Sequence, residues 1–184
     1  VRRQAAEVLG EIRDNASVAP LAAKLRDEGS GVGPEAARAL GRIGVPEAVP
    51  PLIEALHHPL RTVRISAAKA LGQIGNASAV PALGEAALAS TDVTLIRTAV
   101  EAAGQLGSAT ALEWLAPLLD HPDREVRTAV GEAIARIGDR RAAPELIRRL
   151  PHEESQTVVA AYAEALGALG DPAALNVLLQ ALDA

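Results

Sequence analysis

The chain has 184 residues, 49% of them hydrophobic, yet it contains one Trp, one Tyr and no Phe, and its net charge is −5. That composition disfavours a single thick globular core, which relies on aromatic bulk, and suits thin layers of close-packed helices built from Ala, Leu, Val and Ile. The absence of Cys excludes disulfides and thiolate metal sites; with no apolar run near the ~20 residues of a membrane span and no signal-peptide pattern, a cytoplasmic protein is expected.

Six copies of one pattern follow in order. They begin VRRQAAEVLGEIR at Val1, VGPEAARALGRIG at Val32, VRISAAKALGQIG at Val63, LIRTAVEAAGQLG at Leu95, VRTAVGEAIARIG at Val126 and VVAAYAEALGALG at Val158. The register runs 1→32→63→95→126→158, in steps of 31 or 32 residues. A fixed period of this size marks stacked structural repeats. Within a copy, Val63, Ala67, Ala70, Leu71 and Ile74 recur at helical spacing on one face. After a break come shorter apolar runs such as Leu52, Ile53 and Leu56, or Leu146, Ile147 and Leu150. The predicted pairs are 1–14 with 17–26, 35–44 with 47–57, 62–75 with 78–88, 93–107 with 110–120, 124–137 with 141–150, and 155–169 with 172–182. No strand alternation occurs, so the expected fold is all-α with twelve helices and no internal domain boundary.

Punctuation supports these boundaries. Gly44, Gly75, Gly107, Gly138 and Gly170 follow the last apolar residue of the first helix, where a left-handed residue closes a C-terminus; Arg13 replaces them in the first copy and predicts a weaker stop. Asn76, Asp139 and Asp171 are N-cap candidates for second helices, and Pro50, Pro81 and Pro144 suit a first helical turn. Ser90 or Asp92 is expected to cap the helix after the 32-residue step. Residues 27–34, with their GSGVGP run, lack the preceding strand and Lys of a phosphate loop and are expected to form an inter-repeat turn, with the helix starting late at Pro34. A second Gly series, Gly10, Gly41, Gly72, Gly104 and Gly167, lies inside the helices, where Gly costs about 1 kcal/mol relative to Ala. Such repetition predicts close approach of a neighbouring helix; Ala135 fits the equivalent position of another copy.

V-R-x-x-A-A-x-A-L-G-x-I-G followed by D/N-x-x-A-V-P-x-L resembles the HEAT-like repeat of the phycobilisome-lyase type, over essentially the whole chain. The resemblance implies a right-handed α-α superhelix, with the V-R helices on the concave face and the A-V-P helices on the convex face.

Candidate chemistry is sparse. His57, His58, His121 and His152 fall in the turns between pairs, along one edge and too far apart for one ion, so surface or helix-terminus roles are expected. The related deoxyhypusine hydroxylases carry His-Glu pairs after V-R. Here those positions hold Arg3-Gln4, Pro34-Glu35, Ile65-Ser66, Arg97-Thr98, Thr128-Ala129 and Ala160-Ala161, and the one His-Glu, His152-Glu153, lies in a turn. HEAT-like DNA glycosylases need a basic groove and aromatic clamps. Here Arg3, Arg38, Arg42, Lys69, Arg97 and Arg136 alternate with Glu7, Glu11, Glu35, Glu101, Glu132 and Glu164 on the presumed concave surface, and no nucleic-acid partner is expected. Arg127 is expected to pair with Asp120 or Asp123, whereas Arg64 faces His57-His58-Pro59 without a nearby acid. Trp114 is read either as convex-side packing or as a partner contact, and Tyr162, where other copies carry Ala or Val, as a space-filler or a contact.

These readings converge on a non-catalytic scaffold, with no catalytic, metal or cofactor-binding residues and no membrane contact, that binds a protein or peptide along the concave V-R ribbon. Ile65, Ser66, Lys69, Arg97, Thr98, Glu101, Thr128 and Glu132 are its expected contact residues. The alternatives are a bilin-lyase-type or other enzyme-associated subunit and a sensor or spacer segment of a larger protein. The missing Met and the apolar terminal helices point to a fragment of a longer array, or to end-to-end self-association.

Overall fold

The computed structural model describes residues 1–27 and 31–182. Among them there are twelve α-helices and no strand, arranged as six pairs. The V-R helices are α1 (Arg2–Ile12), α3 (Val32–Ile43), α5 (Arg61–Ile74), α7 (Val93–Leu106), α9 (Arg124–Ile137) and α11 (Gln156–Leu169). Their partners are α2 (Val18–Lys24), α4 (Val49–Ala55), α6 (Val80–Leu88), α8 (Leu112–Leu118), α10 (Ala143–Arg149) and α12 (Leu175–Leu182). Helices of seven to nine residues are marginal alone in water, so the even-numbered ones depend on the layer beneath them.

The termini follow local chemistry. Gly44, Gly75, Gly107, Gly138 and Gly170 all adopt positive φ and donate to a carbonyl of the last turn. Arg13 occupies the same left-handed conformation at φ 56°, without the freedom of Gly. Asn76, Asp139 and Asp171 do cap, but each caps a single 3₁₀ turn that leads into the α-helix, as does Asp14, which the sequence reading passed over. Asp92 accepts from the amides of Thr94 and Leu95, while Ser90 Oγ accepts from the Asp92 amide, so both expected residues act at that junction. The late start at Pro34 is corrected: α3 begins at Val32, with Gly31 before it at φ 69°, and Pro34 sits in the first turn, where no intrahelical amide bond is lost. Glu28, Gly29 and Ser30 of the GSGVGP region lie outside the described residues.

The odd-numbered helices pack in unbroken succession, α1 on α3 through to α9 on α11, whereas the backbones of successive even-numbered helices stand farther apart. A stack with one tight layer and one splayed layer curves toward the tight one. The tight layer is set by the interior Gly series. A Cβ at Gly10 would lie 2.7 Å from Ala39 Cα, at Gly41 3.0 Å from Ala70 Cα, at Gly72 3.0 Å from Ala102 Cα, and at Gly104 2.9 Å from Ala133 Cα. Each Gly thus faces the same Ala of the next copy, as the repeated helix-interior cost predicts. Gly167, in α11, meets nothing within 4 Å.

The two aromatic residues are internal packing, and each has its own Gly. Tyr162 is fully buried, with its ring against Gly131 and its hydroxyl donating to the Leu119 carbonyl at 3.1 Å. Burial pushes the Tyr162 hydroxyl well above the ordinary tyrosine range. Trp114, 8% exposed, lies flat on Gly84, where a Cβ would come within 2.7 Å of three indole atoms. Neither side chain is presented to a partner.

The interior Gly series makes a paired prediction. Gly72→Val is expected to destabilise by about 3 kcal/mol through overpacking against α7, and Gly167→Ala to stabilise by about 0.5–1 kcal/mol, because the helix gains propensity without a clash. Thermal and urea melts of both variants check this, and equal effects of one sign would contradict the close-approach account.

Candidate partner-binding face

The outward positions of the odd-numbered helices form a ribbon across the tight layer. Lys69 and Glu132 are exposed on it, and Arg97, Thr98, Glu101 and Thr128 are half-buried. Ile65 is half-buried and packs partly on the core. Ser66 is corrected: it is 8% exposed and faces the interior, because the position after Ile65 rotates toward the neighbouring helix. Glu35, expected among the exposed charges, is also corrected. It is 6% exposed and is held by Arg38 Nη2 at 2.6 Å and Arg42 Nη2 at 3.4 Å, which fold over it.

Arg97, Glu101, Thr128 and Glu132 come together with Arg124, Glu125, Ala129 and Thr157 around a cleft of about 330 Å³ between α7 and α9. Arg97 reaches Glu125 at 2.6 Å and Glu101 at 3.6 Å, and Arg136 lies 3.5 Å from Glu132. The Thr98 and Thr128 hydroxyls donate to the carbonyls of Thr94 and Arg124 in their own helices, so they offer acceptor capacity and a methyl group rather than a free donor. Ile65 and Lys69 lie a repeat earlier and do not line this cleft. Two ribbon residues escaped the sequence reading. The Gln73 and Gln105 side-chain oxygens lie over Gly41 and Gly72, at 2.6 and 2.5 Å from the positions a Cβ would take. The signal was present: a polar residue (Glu11, Arg42, Gln73, Gln105) stands one position past each of Gly10, Gly41, Gly72 and Gly104.

The edge of the array carries a series of ion pairs, some within a copy and some between adjacent copies. Arg2 pairs with Asp27, Arg26 with Glu54, Arg61 with Asp92, Arg127 with Glu153, and Arg149 with Asp120. The assignment of Arg127 to Asp120 or Asp123 is corrected. Its Nε and Nη2 grip Glu153 at 2.8 and 2.9 Å, and its Nη1 donates to the His121 and Pro122 carbonyls, because α10 folds back along α9 and brings the turn that ends the same copy alongside, while Asp120 is drawn to Arg149. His58 and His121 use Nδ1 to accept a backbone amide two residues on, so each fastens its own turn. Among the described residues, no group of three or more His, Asp or Glu could hold a metal ion, and no helix is long and apolar enough to cross a membrane.

A repeating helix pair whose tight layer exposes a polar ribbon defines an α-solenoid. The family model for HEAT repeats matches residues 1–62, 35–97, 49–135, 85–164 and 112–184, so the chain belongs to the HEAT-repeat family. The complex of CpcE and CpcF of phycocyanin lyase from Nostoc sp. PCC7120 is similar at 29% identity and TM-score 0.65, over 96% of this chain and 74% of that one. Human deoxyhypusine hydroxylase in complex with glycerol is similar at 25% identity and TM-score 0.51, over 97% of this chain and 72% of that one. A designed armadillo repeat protein in complex with the peptide (KR)4 shares the fold at 23% identity and TM-score 0.64, over 90% of this chain and 92% of that one. No curated protein sequence matches the chain.

The ion-pair edge predicts acid sensitivity. Hydrogen bonds from Arg61 and Arg149 hold the Asp92 and Asp120 carboxyls below their ordinary range. Burial pulls Glu153 the other way, but the Arg127 guanidinium and the Ser155 amide outweigh it and leave Glu153 lowered too. Folded-state values below the unfolded ones give stability that is present above about pH 4 and lost as pH falls further, through the lowered folded values. Melting temperatures should therefore be level from pH 7 to about 5 and drop below pH 4. Glu153→Gln should cost about 1–3 kcal/mol at neutral pH and flatten the acid limb.

Proposed function

We propose that the ribbon of odd-numbered helices is a non-catalytic docking surface for an extended peptide, or a helix, of a protein partner. The observation that carries this reading is the cleft between α7 and α9, where four of the expected contact residues converge on an open surface with charges of both signs. Charged and small polar groups in alternation suit recognition of a specific peptide more than retention of a small apolar ligand, whose pockets are enclosed and mostly hydrophobic. Nucleic acid does not fit, because Glu101, Glu125 and Glu132 stand beside Arg97 and Arg124 at the same cleft and leave no basic stripe for a phosphate backbone.

A second reading rests on the similarity to CpcE and CpcF of phycocyanin lyase: an enzyme-associated subunit of the bilin-lyase type. In that reading the ribbon holds a client protein or a tetrapyrrole for a chemical step performed with another chain. Soaking the protein with a free bilin separates the readings, since a shift in its absorption band supports the second and an unchanged spectrum the first.

Peptides selected from a random 15-residue display library provide the test of the docking surface. Lys69→Glu, Thr98→Glu and Thr128→Glu together should weaken the selected peptides at least tenfold, with the melting temperature changed little, because surface substitutions outside special contacts stay within about 0.5 kcal/mol each. Equal affinity of the triple variant, at unchanged stability, would place binding elsewhere.

A further inference from the structure

Repeats allow one junction to be compared with another, and one comparison exposes an unfilled position. Three copies carry Arg as their second residue: Arg2, Arg64 and Arg127. Arg2 meets Asp27 at 3.3 Å, and Arg127 grips Glu153 through two parallel hydrogen bonds. Asp27 and Glu153 hold the same register, five residues before the first residue of the next copy. The residue in that register opposite Arg64 is Ser90. The backbone confirms the equivalence, because Ser90 Oγ accepts from the Asp92 amide just as Glu153 Oε1 accepts from the Ser155 amide.

Arg64 is nevertheless built like Arg127. Its Nη1 donates to the His58 and Pro59 carbonyls, both at 2.8 Å, as Arg127 Nη1 donates to those of His121 and Pro122. Anchoring Nη1 fixes the plane of the guanidinium and aims its other edge, Nε and Nη2, across the junction. At Arg127 that edge is filled by a carboxylate. At Arg64 it has no hydrogen-bond or ion-pair partner among the described residues, and the one nearby acid in the turn, Asp92, is committed to Arg61. Arg64 is half-buried, so a ligand reaching this edge would be partly shielded from water.

We infer that the Nε–Nη2 edge of Arg64 is a subsite for a carboxylate supplied from outside the chain, the side chain of an Asp or Glu on the peptide that occupies the ribbon. The identity of the donor rests on the docking reading, whereas the subsite itself does not. Arg64 immediately precedes Ile65, so an acidic residue bound there is anchored at the rim of the ribbon. The carboxylate takes the place that Glu153 fills at the other junction, bidentate, with Ser90 making room where a longer acidic side chain would close the position.

The subsite is tested on the full chain without a peptide, by following the Nε–H resonances of the arginines in ¹⁵N-correlated spectra as sodium acetate is added at constant ionic strength. The Arg64 signal, identified by its loss in Arg64→Lys, should shift saturably, while that of Arg127 stays in place. Ser90→Glu should supply the carboxylate internally, weaken the acetate response at least tenfold and raise the melting temperature, and Arg64→Gln combined with Ser90→Glu should abolish that rise. No acetate-dependent shift at Arg64 up to about 0.1 M, an undiminished shift in Ser90→Glu, or a response to inorganic phosphate with none to acetate would each overturn the assignment. A failed peptide selection leaves the acetate result untouched, and a silent Arg64 leaves the ribbon untouched.

Discussion

The approach of one helix backbone to the next at a Gly–Ala contact is the constraint on which the rest of the protein depends. Four consecutive interfaces, at Gly10, Gly41, Gly72 and Gly104, repeat it with the Ala of the following copy. A side chain at any of them would push the odd-numbered layer apart by about the width of a methyl group. The even-numbered helices approach one another less closely, so the Gly–Ala contacts set the spacing of the tight layer. Curvature, a continuous ribbon and the register of the edge ion pairs all follow from this one distance. The Gly penalty inside each helix, about 1 kcal/mol, is offset by the burial of Leu40, Leu71 and Ile134 in the same layer, all nearly inaccessible to solvent.

Where the repeat deviates, the deviations come in compensating pairs. Tyr162 replaces a small residue, and Gly131 of the preceding copy replaces an Ala or Val to receive it. Trp114 lies where Pro20, Pro51, Ala82, Glu145 and Val177 stand in the other copies, and Gly84 occupies a position that holds Ile53, Ile147 and Leu179 in three of them and Ala in two. In each case extra volume in one repeat is matched by missing volume in its neighbour, as a close-packed interior requires. The indole Nε1 has no hydrogen-bond partner, so this contact rests on shape and dispersion alone. The junctions show the same logic in charge. Arg26–Glu54, Arg61–Asp92 and Arg149–Asp120 each join adjacent copies, whereas Arg2–Asp27 and Arg127–Glu153 close a copy on itself, from its first helix to the turn that ends it.

For function, the important division is between the ribbon and the edge. On the ribbon, Lys69, Glu132 and the cleft-lining groups face solvent, and their charges are only partly committed to one another. At the edge, Arg127 is committed to Glu153, Arg149 to Asp120 and Glu145, and His58 and His121 to their own turns. A scaffold of this kind recognises its partner through the residues that its own packing leaves uncommitted, and Arg64 belongs with them although it lies among the edge residues.

Periodicity alone determined the repeat length, the two helices per copy, their caps and the interior Gly series, because these depend on residues close together in the chain and on a pattern stated six times over. The exposure of a ribbon residue and the partner of a turn arginine were decided only by the tertiary structure. Ser66 and Glu35 carry polar side chains at positions that the helical wheel places near the surface, and only the neighbouring helix and the arginines above them show that they are covered. Glu153 was invisible as the partner of Arg127 because the two are 26 residues apart, while Asp120 and Asp123 lie nearer in sequence. The return of the second helix along the first brings the end of the copy beside its beginning, and sequence spacing carries no measure of that.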